Sequence, residues 1–276
     1  TVTLKDTVSY ENLVVGETYT IKGKLYNPET GEPILIDEKE VTDERLFKPT
    51  KENGTTEMFF TFNGVKLKGK KVVVFEDVYS NDIKVATHSE LKDENQTVYF
   101  PEVTTTVRDS VTGDFIANPN QEVTLIDKVD YFNIVVGLEY QVKGVLIDKA
   151  TGEPFKTADG EEVHGESKVF TTDAHDGSVE VEYKFNGVDA EGKNLVVYEE
   201  LYNNGKVIAD HKDIKDEGQT VHLPKGQTSV KDSKTNTRVG LPSKTQKLID
   251  TVDYWNLLVG KEYVIKGILM DKETGK

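Results

Sequence analysis

The sequence LIDKVDY at residues 125–131 alternates apolar and polar side chains, and close copies of it occur twice more in the chain. One copy is LKDTVSY at residues 4–10, and the other is LIDTVDY at residues 248–254. Strict alternation is typical of a β-strand with one buried face, because successive side chains of a strand point to opposite sides. The copies lie about 120 residues apart, which is the length of a whole domain. The chain is therefore predicted to be a tandem array of similar β-domains.

Proline residues mark the predicted junctions between these units. Pro101 precedes the run Thr104–Val107, and Pro224 precedes the matching run Gln227–Val230. We predict three units on this basis: residues 1–102, which lack their first strand, residues 103–224, which are complete, and residues 225–276, which hold only the opening third. The chain begins at Thr1 rather than at a methionine and is interpreted as a fragment of a longer protein.

Short alternating runs separated by turn residues fill each unit. Examples are Met58–Phe62 and Val72–Tyr79, and no segment shows a sustained helical period. Asn63 and Asn186 are each followed by Gly, a pair that predicts type I′ hairpin turns because both central residues of such a turn need a positive φ. Many short strands in each unit favour an all-β fold of tandem immunoglobulin-like domains, each a Greek-key sandwich.

Composition excludes several classes of function. Asp and Glu total 49 against 34 for Lys and Arg, and the net charge of −15 argues against a nucleic acid partner or an anionic membrane surface. The chain has no Cys, which excludes disulfides and thiol catalysis. No apolar run is long enough to insert into a membrane. We predict no cofactor and no metal site, and interpret His164 and His175 as solvated loop residues.

Polar side chains recur at constant spacing on the apolar faces of the predicted strands. In the middle unit they are Thr105, Asp127, Glu199, His211 and Gln219. The equivalent residues are Asp6, Glu76, His88 and Gln96 in the first unit, and Thr228 and Asp250 in the third. A buried acid is costly unless it is hydrogen-bonded or protonated. Five such groups together therefore indicate a chemical site rather than five separately satisfied core residues.

The residue types of this set point to acyl transfer. A hydroxyl, an imidazole and two carboxyls are the groups that nucleophilic acyl transfer uses. Gln219 adds a side-chain carboxamide, whose carbonyl carbon is an acyl acceptor within the same unit. Such a site needs no external substrate, and it could join the first and last strands of its own unit.

These residues and their surrounding motifs resemble the VaFE-repeat domains of Gram-positive surface adhesins, which form intramolecular Thr–Gln ester bonds. The resemblance covers the whole chain. In the middle unit the motifs are Thr105–Val107, Leu125–Asp127, Val196–Glu199, Ala209–His211 and Gln219–Val221. In the first unit they are Leu4–Asp6, Val73–Glu76, His88 and Gln96–Val98. The Ala of the VaFE tetrapeptide is Val in both units and its Phe is Tyr198 in the middle one, but the acid is kept.

The resemblance implies a role for each residue of the middle unit. Thr105 would be the nucleophile and Gln219 the electrophile, with ammonia as the leaving group. His211 would be the general base. Asp127 and Glu199 would be paired acids, one of them held protonated so that it polarises the Gln carbonyl.

Thr104 and Thr106 flank Thr105 and are rival nucleophiles. The third unit has Thr228 followed by Ser229, so only one threonine is shared, and this comparison selects Thr105. The first unit has no nucleophile and the third has no downstream strands, so we expect one ester in the chain, formed once and without turnover of a substrate.

The function that the resemblance implies is structural: a stalk segment of an extracellular, cell-wall-anchored adhesin, cross-linked for mechanical and proteolytic resistance. The implied partners are the neighbouring repeats and a host surface protein or glycan at a tip domain outside this segment. Three alternatives stay open: a host-ligand-binding module, a hydrolase that uses Thr105 and His211, and a Lys–Asn isopeptide domain. The isopeptide alternative is disfavoured, because the first strand offers Thr in place of Lys and the last strand offers Gln in place of Asn or Asp.

Overall fold

The computed structural model describes residues 1–276, and its regular structure is almost entirely β-strand. Nine strands lie in residues 1–100: β1 (Val2–Tyr10), β2 (Tyr19–Tyr26), β3 (Leu35–Ile36), β4 (Lys39–Glu40), β5 (Thr42–Phe47), β6 (Gly54–Phe62), β7 (Lys70–Ser80), β8 (Ile83–His88) and β9 (Thr97–Phe100). Eight follow: β10 (Glu102–Asp109), β11 (Glu122–Phe132), β12 (Tyr140–Asp148), β13 (His164–Glu166), β14 (Gly177–Asn186), β15 (Asn194–Asn203), β16 (Lys206–His211) and β17 (Thr220–His222). The last two are β18 (Lys225–Asp232) and β19 (Leu248–Trp255). The predicted all-β class is confirmed.

Helical structure is limited to four short 3-10 turns. They are Gly64–Leu67, Glu94–Gln96, Gly187–Ala190 and Glu217–Gln219. None of the helical segments is long and apolar enough to cross a membrane.

The middle unit is a sandwich of two antiparallel sheets. One sheet has the order β10-β11-β14, and the other has the order β13-β12-β15-β16, with β17 also pairing with β15. The facing sides of the sheets bury a core of 23 apolar residues. Along β11 the inward residues Val123, Leu125, Asp127, Val129 and Tyr131 are all buried. The two-residue alternation therefore places Asp127 inside the sandwich, as the sequence predicts.

The first unit repeats this arrangement without a counterpart of β10. Its sheets are β1-β6 and β5-β2-β7-β8, with β9 on β7, and β3 and β4 form a separate hairpin. Its buried core holds 12 apolar residues, about half the number in the middle unit, because β1 pairs with β6 alone whereas β11 pairs with strands on both of its edges. In the third unit β18 and β19 form a two-stranded sheet.

The prediction of type I′ hairpins at Asn63 and Asn186 is wrong. Both residues have negative φ, −80° and −74°, and both cap a 3-10 turn. In each case the side-chain oxygen accepts a hydrogen bond of 3.2 Å from the backbone N–H two residues later. The strands on either side lie in different sheets, so the connection has to cross the sandwich, which a two-residue hairpin cannot do.

The interpretation of His175 as a solvated loop residue is also wrong. Its Nδ1 lies 2.8 Å from the backbone oxygen of Ile134. Its ring stacks on Tyr99 of the first unit, with centroids 4.9 Å apart and an interplanar angle of 18°. Nearby, Lys68 Nζ donates a hydrogen bond of 2.8 Å to the backbone oxygen of Asp210. His175 therefore belongs to the junction between the first two units, whereas His164 is exposed on β13.

Candidate cross-linking site

Five elements of the middle unit bring the predicted residues together. Thr105 lies on β10, Asp127 on β11, Glu199 on β15, His211 on β16 and Gln219 at the end of the 3-10 turn that precedes β17. Thr105, Asp127, Glu199 and Gln219 are buried, and His211 lies directly opposite Glu199 in the β15–β16 ladder. The elements come from both sheets, so the site closes one edge of the sandwich.

The side chains of Thr105 and Gln219 are in direct contact, although 114 positions separate them in the chain. Gln219 Nε2 donates hydrogen bonds to Thr105 Oγ1 at 2.7 Å and to Glu199 Oε2 at 2.9 Å. Because Nε2 is bonded to the amide carbon Cδ, the threonine hydroxyl lies beside the carbon that it would attack. The rival residues point elsewhere, since Thr104 is exposed and Thr106 is only half-buried.

The Gln219 carbonyl oxygen is buried and has no hydrogen-bond partner. Burial of an unpaired acceptor costs about 1–3 kcal/mol. A rotation of the Gln219 amide group by half a turn about its Cγ–Cδ bond exchanges the positions of its oxygen and nitrogen. The oxygen then faces Glu199 Oε2. A protonated Glu199 would then donate a hydrogen bond to the carbonyl, which is the contact that makes Cδ electrophilic.

The two acids share a site with little solvation. Burial raises the pKa of Glu199 well above its ordinary range, and the neighbouring Asp127 carboxyl raises it further. Burial also raises the pKa of Asp127, whose two carboxyl oxygens have no hydrogen-bond partner. Two carboxyls this close in a dry site cannot both ionise at low cost. One carboxyl of the pair therefore keeps a proton, and Glu199 is the one whose side chain contacts the Gln219 amide.

Asp216, which is not among the residues predicted from the sequence, joins the histidine to the glutamine. Its Oδ2 lies 3.1 Å from His211 Nε2. Its Oδ1 accepts a hydrogen bond of 2.7 Å from the Gly218 N–H and caps the turn that carries Gln219. The carboxylate makes Nε2 the protonated ring nitrogen, which leaves the lone pair on Nδ1, a buried atom without a hydrogen-bond partner. An imidazole oriented in this way can act as a general base.

The sequence contains a pattern from which Asp216 could have been predicted. An aspartate stands three residues before the glutamine in both units, as Asp93 before Gln96 and Asp216 before Gln219. In the first unit Asp93 Oδ2 lies 3.2 Å from His88 Nε2, and Asp93 Oδ1 caps the corresponding turn. The constant His-to-Gln spacing thus includes the acid that orients the histidine.

Tyr183 contacts Glu199 from the opposite sheet. Its buried hydroxyl donates a long hydrogen bond of 3.4 Å to Glu199 Oε1. Gly144 faces Glu199 in the β12–β15 ladder, and a Cβ at this position would collide with the Tyr183 hydroxyl oxygen. Glycine at 144 therefore leaves the space that the tyrosine needs to reach the acid. The first unit has Phe60 at the position equivalent to Tyr183. Leu4 pairs with Phe60 across β1 and β6, and its counterpart Leu125 pairs with Tyr183 across β11 and β14.

The first unit contains the equivalents of the two acids, the histidine and the glutamine, but no equivalent of Thr105. His88 lies opposite Glu76 in the β7–β8 ladder, and Gln96 ends the turn before β9. Glu76 is 2% exposed, and neither of its carboxyl oxygens has a hydrogen-bond partner. Burial, followed by the Asp6 carboxyl, raises the pKa of Glu76 to about 9.

The third unit carries the remaining two predicted residues. Thr228 lies on β18 opposite Val252, and Asp250 lies on β19 opposite Val230. Both are exposed, because no second sheet covers this hairpin. The structure therefore does not bring Thr228 and Asp250 to a glutamine.

The Glu76→Gln variant is expected to flatten the pH dependence of stability. Between about pH 4.5 and about pH 9 the folded chain keeps a proton on Glu76 that the unfolded chain has lost. The free energy of unfolding therefore decreases as the pH rises through this window, by up to about 1.4 kcal/mol per pH unit. The amide imitates the protonated acid and does not titrate, so the variant should lose this slope. Urea unfolding of both chains across the window measures it, and parallel curves would refute the assignment.

The fold and this group of side chains define a class: β-sandwich domains with a buried Thr–Gln pair beside two acids and a His–Asp pair. A family model described as "T-Q ester bond containing domain" matches residues 1–100, 101–223 and 224–276. The matches together span the chain. The protein therefore belongs to the T-Q ester bond containing domain family, and the resemblance drawn from the sequence is confirmed at the level of the family.

Comparisons with individual proteins are more distant. A bacterial adhesin from Mobiluncus mulieris, described as containing intramolecular disulfide, isopeptide and ester bond cross-links, is 13% identical, with a TM-score of 0.40 over 55% of this chain and 76% of that one. A glycosyl hydrolase family 2 member from Bacteroides cellulosilyticus is 9% identical, with a TM-score of 0.30 over 75% of this chain and 25% of that one. No curated protein matches the sequence.

Proposed function

We propose that the middle unit cross-links itself by an ester bond between Thr105 and Gln219. The observation that carries this proposal is the 2.7 Å contact between Thr105 Oγ1 and Gln219 Nε2 inside the sandwich, beside Glu199, an acid whose pKa is raised by burial. Membership of a family described by its T-Q ester bond supports the same chemistry. The reaction is intramolecular and occurs once, because it consumes its own glutamine.

Each residue of the site has a separate role in the reaction. Thr105 Oγ1 attacks Gln219 Cδ while its proton passes to Nδ1 of His211, and Asp216 stabilises the imidazolium that forms. Glu199 donates a hydrogen bond to the carbonyl oxygen as negative charge develops there. The Cδ–Nε2 bond then breaks with its electron pair on nitrogen, which takes the proton from His211 and leaves as ammonia. Atoms and charge balance without a cofactor.

Burial protects the product of this reaction. Thr105 is 6% exposed and Gln219 is fully buried, so water has little access to the ester carbon. The apolar walls also strengthen the electrostatic contacts of Glu199 and Asp127 with the reacting atoms. The same dry environment that raises the pKa of the acids thus keeps the bond from being hydrolysed.

We propose that the mechanical role follows from where the bond lies. Thr105 is on the first strand of the unit, and Gln219 directly precedes its last strand. The two strands lie in different sheets, so the bond joins the sheets as well as the two ends of the unit. A pulling force applied at residues 103 and 224 would pass through the ester and would not load residues 106–218. Such a unit suits a stalk of an extracellular, cell-wall-anchored adhesin that holds a binding domain away from the cell.

Intact mass spectrometry of the purified chain tests the bond directly. We expect a mass lower than the sequence mass by one ammonia, about 17 Da per ester. The Thr105→Ala variant should have its full sequence mass, because no other hydroxyl reaches Gln219. Thr104→Ala and Thr106→Ala are matched controls and should keep the mass deficit. A wild-type chain at full sequence mass would refute the proposal.

A further inference from the structure

Tyr183 is a buried polar residue that has no role in the reaction proposed for the middle unit. It lies on β14, in the sheet opposite to that of Glu199, and its side chain is fully buried. Its hydroxyl makes one hydrogen bond, of 3.4 Å, to Glu199 Oε1. A buried O–H group without an acceptor is costly, so the tyrosine donates its proton to this oxygen. Such contacts are often long before a reaction begins and shorten as it proceeds.

Two glycines on the facing sheet leave room for the Tyr183 ring. Gly144 and Gly165 lie opposite each other in the β12–β13 ladder. A Cβ at Gly144 would collide with the hydroxyl oxygen, and a Cβ at Gly165 would lie only 2.9 Å from the ring carbon Cε1. The first unit has Phe60 in place of the tyrosine and Asp43 in place of Gly165. The second glycine therefore occurs in the unit that has the tyrosine and not in the unit that has phenylalanine.

The two carboxyl oxygens of Glu199 face different partners. Oε1 accepts the hydrogen bond from Tyr183, and Oε2 lies 2.9 Å from Gln219 Nε2. A protonated carboxyl has one hydroxyl oxygen, which donates, and one carbonyl oxygen, which accepts. A donor that faces Oε1 makes this atom the carbonyl oxygen, so the proton of the acid belongs on Oε2. The proton then lies on the side of Glu199 that contacts the glutamine.

The opposite placement of the proton would be unproductive. With the proton on Glu199 Oε1, Oε2 would be an acceptor and would bind the amide nitrogen of Gln219. The carbonyl oxygen of the glutamine would then face away from the acid. With the proton on Oε2, the glutamine turns its oxygen to the acid, because a donor needs an acceptor. The two ends of a carboxamide have nearly the same shape, so the hydrogen-bond partner decides which end faces it.

We propose that Tyr183 is a positioning residue for ester formation: its hydroxyl holds Glu199 with the acid proton on Oε2, where this proton faces the Gln219 carbonyl oxygen. Tyr183 thus orients the acid as Asp216 orients the histidine. The inference rests on the ester chemistry proposed for the middle unit.

The surroundings keep the Tyr183 hydroxyl protonated, so it remains a donor. Burial raises the pKa of Tyr183 well above its ordinary range, and the Glu199 and Asp127 carboxyls raise it further. The groups that face Glu199 include no lysine or arginine: they are Thr105 from β10, Asp127 from β11, Gly144 from β12, Tyr183 from β14, His211 from β16 and Gln219 from the turn before β17. The tyrosine is therefore a neutral donor in a site without a fixed positive charge.

The Tyr183→Phe variant tests the inference. Phenylalanine keeps the ring, and the first unit packs Phe60 at the equivalent position, so the fold should persist. We expect ester formation after refolding, followed by intact mass, to be about tenfold slower, which corresponds to about 1.4 kcal/mol in the barrier. The tyrosine donor also favours the ionised form of Glu199. Its loss should raise the pKa of Glu199 and move the alkaline limb of the pH–rate profile to higher pH.

Infrared spectroscopy reports the hydrogen bond at Glu199 Oε1 directly. The Thr105→Ala chain cannot react and keeps the acid in the unreacted site. Its spectrum should contain the C=O stretch of a protonated carboxyl, assigned by the loss of the band in Glu199→Gln. A hydrogen bond to the carbonyl oxygen lowers the frequency of this stretch, so the addition of Tyr183→Phe should raise it. An unchanged band would overturn the inference.

Tyr140→Phe is the matched control. Tyr140 is also buried, but its hydroxyl bonds the backbone of Val135 at 2.9 Å rather than a residue of the ester site. This variant should lower the melting temperature and leave the rate and its pH profile unchanged.

Three outcomes separate the inference from the proposed function. A Tyr183→Phe chain that loses ammonia at the wild-type rate would overturn the inference and leave the Thr105–Gln219 ester standing. A slower reaction with an unchanged pH profile would also overturn it, because a purely structural role has that effect. A wild-type chain that keeps its full sequence mass would instead refute the ester itself, and the role of Tyr183 with it.

Discussion

The Asp216→Asn variant is expected to form its Thr105–Gln219 ester more slowly by about 10²–10⁴-fold, the range that general acid–base catalysis contributes. Asn has nearly the shape of Asp and is among the best capping residues, so the turn that carries Gln219 should persist. The amide group, however, presents a donor to His211 where the carboxylate presents an acceptor. This contact favours the tautomer with the proton on Nδ1, and this buried nitrogen can then no longer accept the proton of Thr105.

The reaction is followed by intact mass after refolding from denaturant, starting with chains that have not yet reacted. Asp93→Asn is the matched control in the same chain, since it makes the same chemical change beside His88 in the first unit and should leave the rate at Gln219 unaltered. A purely structural role for Asp216 would lower the melting temperature without changing the dependence of the rate on pH. A rate equal to that of the wild type would refute the assignment of Asp216 as a positioning residue.

The second large effect concerns stability, and the Thr105→Val variant measures it. Valine keeps the β-branched shape of threonine but has no hydroxyl, so the ester cannot form. The bond closes a loop across 114 positions, and closure of a loop of this size stabilises a protein by roughly 4–5 kcal/mol through the entropy of the unfolded chain. We expect the middle unit of the variant to lose about this much free energy of unfolding and to be cleaved by proteases at lower denaturant concentrations.

Two comparisons isolate the covalent bond from the side-chain change. Thr105→Ser keeps a hydroxyl and should still lose ammonia and retain most of the stability. The wild-type chain collected before the ester forms has every native side chain and should resemble Thr105→Val in its unfolding midpoint. If the unreacted and reacted wild-type chains unfold at the same denaturant concentration, the stabilising role of the ester is wrong.

Local patterns in the sequence were enough to predict the strands and their buried faces. Asp127 and Glu199 alternate with apolar residues, and a two-residue period permits only one face for both. The repeat then separated recurring polar residues from incidental ones, because Thr105, His211 and Gln219 each have a counterpart in another unit. Membership of the family could be inferred from these residues for the same reason.

The connections between the two sheets could not be predicted from local sequence patterns. Asn63 and Asn186 have the sequence of a tight hairpin, but the strands that they connect belong to opposite sheets, and the crossing turns each Asn into the cap of a 3-10 turn. His175 has no counterpart in the first unit, and only the neighbouring unit supplies the Tyr99 ring on which it stacks. In both cases the decisive partner is distant in sequence.

The sequence by itself determined that this protein is a tandem array of β-domains and which residue types occupy the interior of each, since alternation and repetition are properties of the chain alone. Only the tertiary structure decided that Thr105 and Gln219 touch and that Asp216 orients His211. These are distances between strands of two different sheets. They depend on how the sheets pack around a shared core, which no local pattern in the sequence specifies.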